Sequence, residues 1–283
     1  MAVTMAATLH AVDPLEYYRA HLSRGVRPDG RGLLRGRRPV TRNASLTSTD
    51  GSAIVRMGRT ALLVGVQCDP TVPTEAEPSC GRIVVSVEFS AVCSPAAAAT
   101  HGGSGSTAAT AAVARMESDK AILVELLQQT ANGGLVDLEK LCAVAGTAVW
   151  SCYCDVYVLE HDGNLTDAAM LAMMAALSYV RLPSVAVDEQ SGALTVVEER
   201  AMALLVERPV FPCTFGLLDG TLLLDPCAEE EALLSSTFTL LLDDSGELRA
   251  VHKPGGAPLA SGSMEPCLAA AKARLPMLRA TLS

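Results

Sequence analysis

The sequence predicts an α+β fold in two halves, on three observations. Apolar strand pairs closed by short glycine turns occur early in the chain and again late. Amphipathic or wholly apolar helical stretches separate them. Half of the residues are hydrophobic (49%) and only 19% are charged, a balance that supports a sizeable core. It exceeds what a lone soluble domain requires, so part of the surface is expected to be covered by a partner.

The elements follow in order. "DPLEYYRAHLSRG" reads as a helix: Asp13 is the N-cap, Pro14 suits the first position, and Glu16 completes a capping-box pattern. Leu15, Tyr18 and Leu22 share a face, and Gly25 ends the helix in a left-handed conformation. "RPDGRG" is a tight turn, with proline presetting φ and glycine supplying a positive one. "SAIVRM" and "TALLVGVQC" around Gly58-Arg59 form a hairpin, and "RIVVSVEFSAVC" a third strand. Ser94 to Ala114 is alanine-, glycine-, serine- and threonine-rich. Its first half is expected to be a mobile loop and its second to lead into a helix ending near Gln129.

Val149 to Glu160 reads as a long buried strand and Asp167 to Tyr179 as a helix apolar on nearly every side. "TFGLLDGTLLLDPCAEEE" repeats the plan of "VRMGRTALLVGVQCDPT", which suggests an internal duplication. "STFTLLLDDSGELRAVHKPGG" adds a hairpin, and Met264 to Leu282 a closing helix interrupted or bent at Pro276. The expected division is an N-terminal helix and arm (1–32), a first half (33–182) and a second half (183–283) with the closing helix.

Composition excludes several functions. The longest uncharged apolar run, Ala168 to Val180, is too short to span a bilayer as a helix. The N-terminus lacks the basic start and apolar centre of a signal peptide, so an intracellular protein is expected. The nine cysteines are scattered, without the paired spacing zinc requires. Cys152 and Cys154 share one strand face and should pack as small hydrophobes. No metal or cofactor is expected. Charge is uneven: the first 59 residues hold ten arginines against four acids, a net +6, and the remainder carries −15. So acidic a chain is a poor nucleic-acid binder by itself. The basic arm is read as a solvated surface, or as a contact for phosphates or an acidic neighbour.

"DPLEYYRAHLSRGVRPDGRG", "STDGSAIVRMGRTALLVGVQ", "WSCYCDVYVLEHDGNLTDAAMLAMMAAL" and "HKPGG" resemble, in order, the RNase PH family, and within it the ring subunits of the eukaryotic RNA exosome. The resemblance runs from Asp13 to Gly256, and Arg27, Pro28, Asp29, Gly30 and Arg31 form its widely shared structural motif. It implies an RNase PH-like fold of two duplicated βαβα-type halves, akin to domain 2 of ribosomal protein S5. It also implies a hetero-oligomeric ring around an RNA channel. The implied partners are other RNase PH-like subunits, S1/KH-type cap subunits, a docked hydrolytic exoribonuclease and the passing RNA. Implied roles are ribosomal and small nuclear RNA 3′-end maturation and messenger RNA turnover, in nucleus, nucleolus and cytoplasm.

Active members of that family cleave RNA with inorganic phosphate, which needs cations where charge accumulates and an aspartate for a proton or magnesium ion. Their turn reads Asp-Gly-Gly-Thr followed by arginine or a similar residue. Here Asp162 and Gly163 match, whereas Asn164, Leu165 and Thr166 depart. From Ile83 to Ala114, where active members carry an arginine-rich segment, there is no lysine or arginine. Asp155, Asp162 and Asp167 are therefore read as vestiges of a catalytic site: Asp162 forms the turn, and Asp167 caps the next helix while repelling phosphate. Arg82 and Arg115, flanking the channel-facing segment, are the RNA-contact candidates. The expected function is noncatalytic. The alternatives are a phosphate-dependent 3′-to-5′ exoribonuclease completed by a neighbour's residues, and a small-molecule enzyme using "THGGSGST" as a phosphate loop, which lacks the lysine and strand-to-helix setting. The arm, Asp13 to Arg31, is expected to serve assembly more than folding.

Overall fold

In the computed structural model, residues 10–75, 77–90, 93, 107–187, 194–260 and 262–282 are described. The expected mobile loop and "THGGSGST" lie mainly outside them.

Helix α1 (Pro14–Leu22) starts as its sequence dictates: Asp13 Oδ1 accepts the Glu16 N–H at 3.1 Å. Only that half of the capping box forms, because Glu16 turns instead to Arg19, 3.7 Å away. Tyr18 and Leu22 are buried, and Gly25 takes φ +73° just beyond the helix. Strands β1 (Pro39–Asn43), β2 (Gly51–Met57), β3 (Thr60–Thr71), β4 (Arg82–Phe89), β5 (Cys142–Val144) and β6 (Ala148–Glu160) build the larger sheet. Its spatial order is β1-β2-β3-β6-β4, with β5 on β6. β4 runs parallel to β6; β1 to β3 pair antiparallel down to β6.

Helix α2 (Thr107–Thr130) follows β4 and covers its edge. Gln128 accepts the Val85 N–H at 2.9 Å and donates to the Ile83 carbonyl at 2.6 Å, occupying polar edge groups that would otherwise invite another strand. Helix α3 (Leu165–Ser178) is buried from Asp167 to Leu177 because it lies against β2 and β3 on one side and the second sheet on the other. A helix apolar all round belongs at the centre of a structure, and this one occupies it.

After the hairpin β7 (Arg181–Val187) and β8 (Leu194–Ala203) comes a second sheet, ordered β10-β9-β11-β12. It comprises β9 (Val210–Leu218), β10 (Thr221–Leu224), β11 (Ser236–Asp243) and β12 (Leu248–His252), with the short α4 (Ala228–Glu231) after β10. Helix α5 (Met264–Leu282) continues through Pro276 without interruption and buries Cys267, Ala271, Arg274, Leu275 and Leu278. The repeated hairpins are both present. The first has a further neighbour on each side, β1 beside β2 and β6 beside β3, whereas the later one joins its sheet only through β9, so the local likeness does not extend to strand order.

One hydrophobic cluster spans both sheets and α3. Cys152 and Cys154 lie within it as expected, fully buried. The arm is part of the fold. Tyr18 and Leu22 pack with Leu218 and Leu223 of the second sheet, and Leu33 accepts the Leu224 N–H at 2.9 Å. Among the described residues no helix is long and apolar enough to cross a membrane.

Candidate functional site

β6 delivers His161-Asp162-Gly163-Asn164 into α3. Gly163 is required there: φ is +77°, and a Cβ would stand 2.5 Å from the Cys227 carbonyl carbon. Asn164 is also left-handed (φ +53°), which its short polar side chain tolerates. That side chain, not Asp167, is the N-cap of α3, accepting the Asp167 N–H at 3.3 Å. Thr60 ties the turn to the β2–β3 hairpin, accepting from the Asp162 N–H at 3.1 Å and donating to the Gly163 carbonyl at 2.8 Å.

The three candidate aspartates do not share a site. Asp155 sits on the sheet face opposite the core-facing Cys154 and Val156, accepting from the Ser86 hydroxyl at 2.6 Å. Asp162 stays in the turn, partly exposed, with a carboxylate oxygen 3.5 Å from Arg37. Asp167 is fully buried in the first turn of α3, 2.9 Å from Arg274 and 2.7 Å from the Thr214 hydroxyl that donates to it. Burial holds its carboxyl above the usual range, against the pull of Arg274. Paired with Arg274 inside the fold, Asp167 is an internal charge partner and not the helix cap that its sequence position suggests.

The turn is held by residues distant in sequence. Asp225, at the end of β10, accepts from the Arg37 backbone N–H at 2.6 Å, from Arg37 Nη2 at 2.8 Å and from Asn164 Nδ2 at 2.7 Å. Burial opposes its charge, yet Arg37, Arg274 and Asn164 hold its carboxyl down at about 2. Arg37 also donates to the Asp162 carbonyl at 2.8 Å and the Gly163 carbonyl at 3.2 Å. Arg27, 1% exposed, donates to the Asp225 carbonyl at 3.2 Å, the Leu33 carbonyl at 2.5 Å, Glu230 at 3.3 Å and the Leu224 carbonyl. In the Arg27–Arg31 motif, Gly30 takes φ +84° and Asp29 Oδ2 pairs with Arg31 Nε at 2.5 Å. Arg31 also reaches Asp225, 3.2 Å away.

Across the turn lies a cavity of about 440 Å³ between the start of α3, α2, α4 and β11. No lysine or arginine lines it among the described residues. Thr166 lines it, as do His161, Glu231 and Asp119. Glu231 Oε1 accepts the Asn164 N–H at 2.7 Å, and burial pushes its carboxyl up to about 7. Burial also holds His161 below its ordinary range. Arg82, exposed at the start of β4, donates to the Ser151 hydroxyl at 2.8 Å. Arg115 falls within α2, and its side chain lies outside the described residues.

Sequence reading missed Arg37, Asn164, Asp225, Glu231 and Arg274. A buried carboxylate at the end of the apolar run "TLLLDP" was the available signal for Asp225; only the folded chain brings the others to it.

Residues 36–183 match the 3′ exoribonuclease family, domain 1 (RNase PH), and residues 208–274 match its domain 2. The chain belongs to the RNase PH family. The exosome complex component Rrp42 of Thermococcus onnurineus (strain NA1) is 32% identical over 241 residues, 84% of this chain and 82% of that protein. The exosome complex component rrp43 of Schizosaccharomyces pombe (strain 972 / ATCC 24843) is 28% identical over 263 residues, 93% of each. A chain of the Archaeoglobus fulgidus exosome with RNA bound to the active site superposes with a TM-score of 0.77 at 26% identity, covering 95% of this chain and 97% of that one. The RNase PH fold expected from sequence is therefore present. The domain 1 match carries the Asp162 turn, and the domain 2 match carries Asp225, Glu231 and Arg274.

Proposed function

We propose that this chain is a noncatalytic ring subunit of an RNA exosome, supporting 3′-to-5′ RNA processing and degradation carried out by a separate nuclease. One observation carries the reading: the buried arginines at the Asp162 turn, Arg37 and Arg274, are bound to internal carboxylates and carbonyls, while the cavity beside the start of α3 has no cation among its described lining residues. A phosphorolytic site must gather phosphate against an RNA phosphodiester, and without fixed positive charge that step has nothing to stabilise it. Its relatives named as exosome components, and its likeness to an exosome chain over nearly its whole length, support ring membership.

In this reading the partners are other RNase PH-like ring subunits, S1/KH-type caps, a docked hydrolytic exoribonuclease and RNA in the channel. The sites of action are nucleus, nucleolus and cytoplasm, with ribosomal and small nuclear RNA precursors and messenger RNA as cargo. Arg82 and Arg115 are the RNA contacts, and the chain divides at 32 and 182. Co-expression with the other ring subunits and native mass spectrometry tests the assignment. One copy of the chain per complete ring is expected; a chain that stays outside a ring its companions complete without it contradicts the reading.

A further inference from the structure

The cavity has no lysine or arginine among its described lining residues, yet two polar side-chain atoms without a protein partner belong to residues that line it. Ser236, 6% exposed on β11, lines it with a buried hydroxyl that makes no hydrogen bond, and His252 on β12 lines it with an equally orphaned Nε2. Buried polar atoms without partners cost stability, and two at one cavity call for something that fills their hydrogen-bonding capacity. Charge restricts what that is. Glu231 from α4 and Asp119 from α2 contribute carboxylates, and Thr166, Thr237 and Thr239 contribute hydroxyls.

Two of the backbone donors at the start of α3 already have protein acceptors. Glu231 accepts the Asn164 N–H at 2.7 Å, and the Asn164 side chain accepts the Asp167 N–H at 3.3 Å. The buried Arg37 and Arg274 are committed to Asp225 and Asp167, at 2.8 Å and 2.9 Å, and neither lines the cavity.

We infer that the cavity beside Glu231 is a binding site for a protonated amine or guanidinium group. Such a group brings several N–H donors to acceptors that lack them, and its charge matches the carboxylate wall. The same chemistry is offered by a free diamine and by a lysine or arginine side chain of a neighbouring chain.

The groups facing Glu231 set the pH response. Asp119 and Asp225 disfavour its ionisation, Arg37 favours it, and His161 and His252 line the same space. Burial raises Glu231 to about 7, so its charged fraction, and with it the affinity for a cation, rises about tenfold between pH 6 and pH 8.

Calorimetric titration of the purified full-length chain with agmatine at pH 6, 7 and 8, alongside inorganic phosphate and adenosine, tests this. Agmatine is expected to bind about tenfold more tightly at pH 8 than at pH 6, and phosphate not to bind in the cavity. Glu231→Gln should remove the pH dependence, and Ser236→Ala should weaken binding about tenfold. Repeating the titration on the assembled ring separates the sources: agmatine excluded by the ring identifies a neighbour's side chain, and agmatine still bound identifies a free amine. No agmatine binding at any pH, pH-independent binding, or phosphate or adenosine binding as well as agmatine overturns the inference. The wild-type pH series decides the matter even if Glu231→Gln fails to fold.

Discussion

The two sides of the Asp162–Asn164 turn are built on opposite principles. Towards the arm and α5, arginines and carboxylates are matched: Arg37 with Asp225, Arg27 with Glu230, Arg274 with Asp167. Towards α2 and β11, carboxylates line an open cavity from which lysine and arginine are absent among the described residues. An arginine close in space to a family's catalytic turn is thus no indicator of phosphate binding. What matters is whether its charge is already paired with a carboxylate, and on the crowded side those pairs join the family's two domains.

The largest effect should come from cutting away the crowded side. Removing Asp13 to Arg31 deletes Arg27 and leaves Glu230 and the Leu224 and Asp225 carbonyls without that donor. The expectation that this segment serves assembly more than folding is therefore revised: the truncated chain should fail to fold cooperatively, as circular dichroism melting would show. Next is Arg274→Ala, which strands buried Asp167 and should cost about 3–5 kcal/mol in chemical denaturation. Asp167→Asn with Arg274→Met should recover much of that loss, since an uncharged buried pair has less to lose. Wild-type stability in Arg274→Ala would mean the pair is not needed.

Gly163→Ala should cost about 2–3 kcal/mol, because the added Cβ meets the Cys227 and Ala228 backbone in a left-handed conformation. A melt unchanged from wild type would show that α4 yields easily. On the cavity side the effect depends on pH. Glu231 binds its proton more tightly folded than unfolded, so its contribution to stability falls as pH rises from about 4.5 to about 7. Asp167, also raised by burial, acts with the same sign. Asp225 has the opposite sign: held at about 2, its contribution is present above about 4 and lost as pH falls towards 2. Denaturation midpoints across this range should decline towards neutrality, and Glu231→Gln should flatten most of that decline.

The comparison also separates what the sequence could and could not reveal. Local chemistry was legible: Asp13 as N-cap, Gly58 and Asp219-Gly220 as hairpin turns, and the closing helix from Met264 to Leu282. The α3 cap was misread because "DGNLTD" offers two capping residues three positions apart, and the left-handed Asn164 takes the role. Strands β1, β7 and β8 were not marked by the sequence pattern, and pairing defines them. The ion-pair network joins residues near 37, 162, 225 and 274, and no local pattern records a contact made by the fold.

The central claim is that the turn has become a structural joint without phosphate chemistry. Incubating the purified full-length chain with a 3′-labelled RNA, with and without inorganic phosphate, measures this most directly. No phosphate-dependent release of nucleoside diphosphates is expected at any pH between 6 and 8. Phosphate-dependent release that Glu231→Gln or Asp162→Asn abolishes would contradict it.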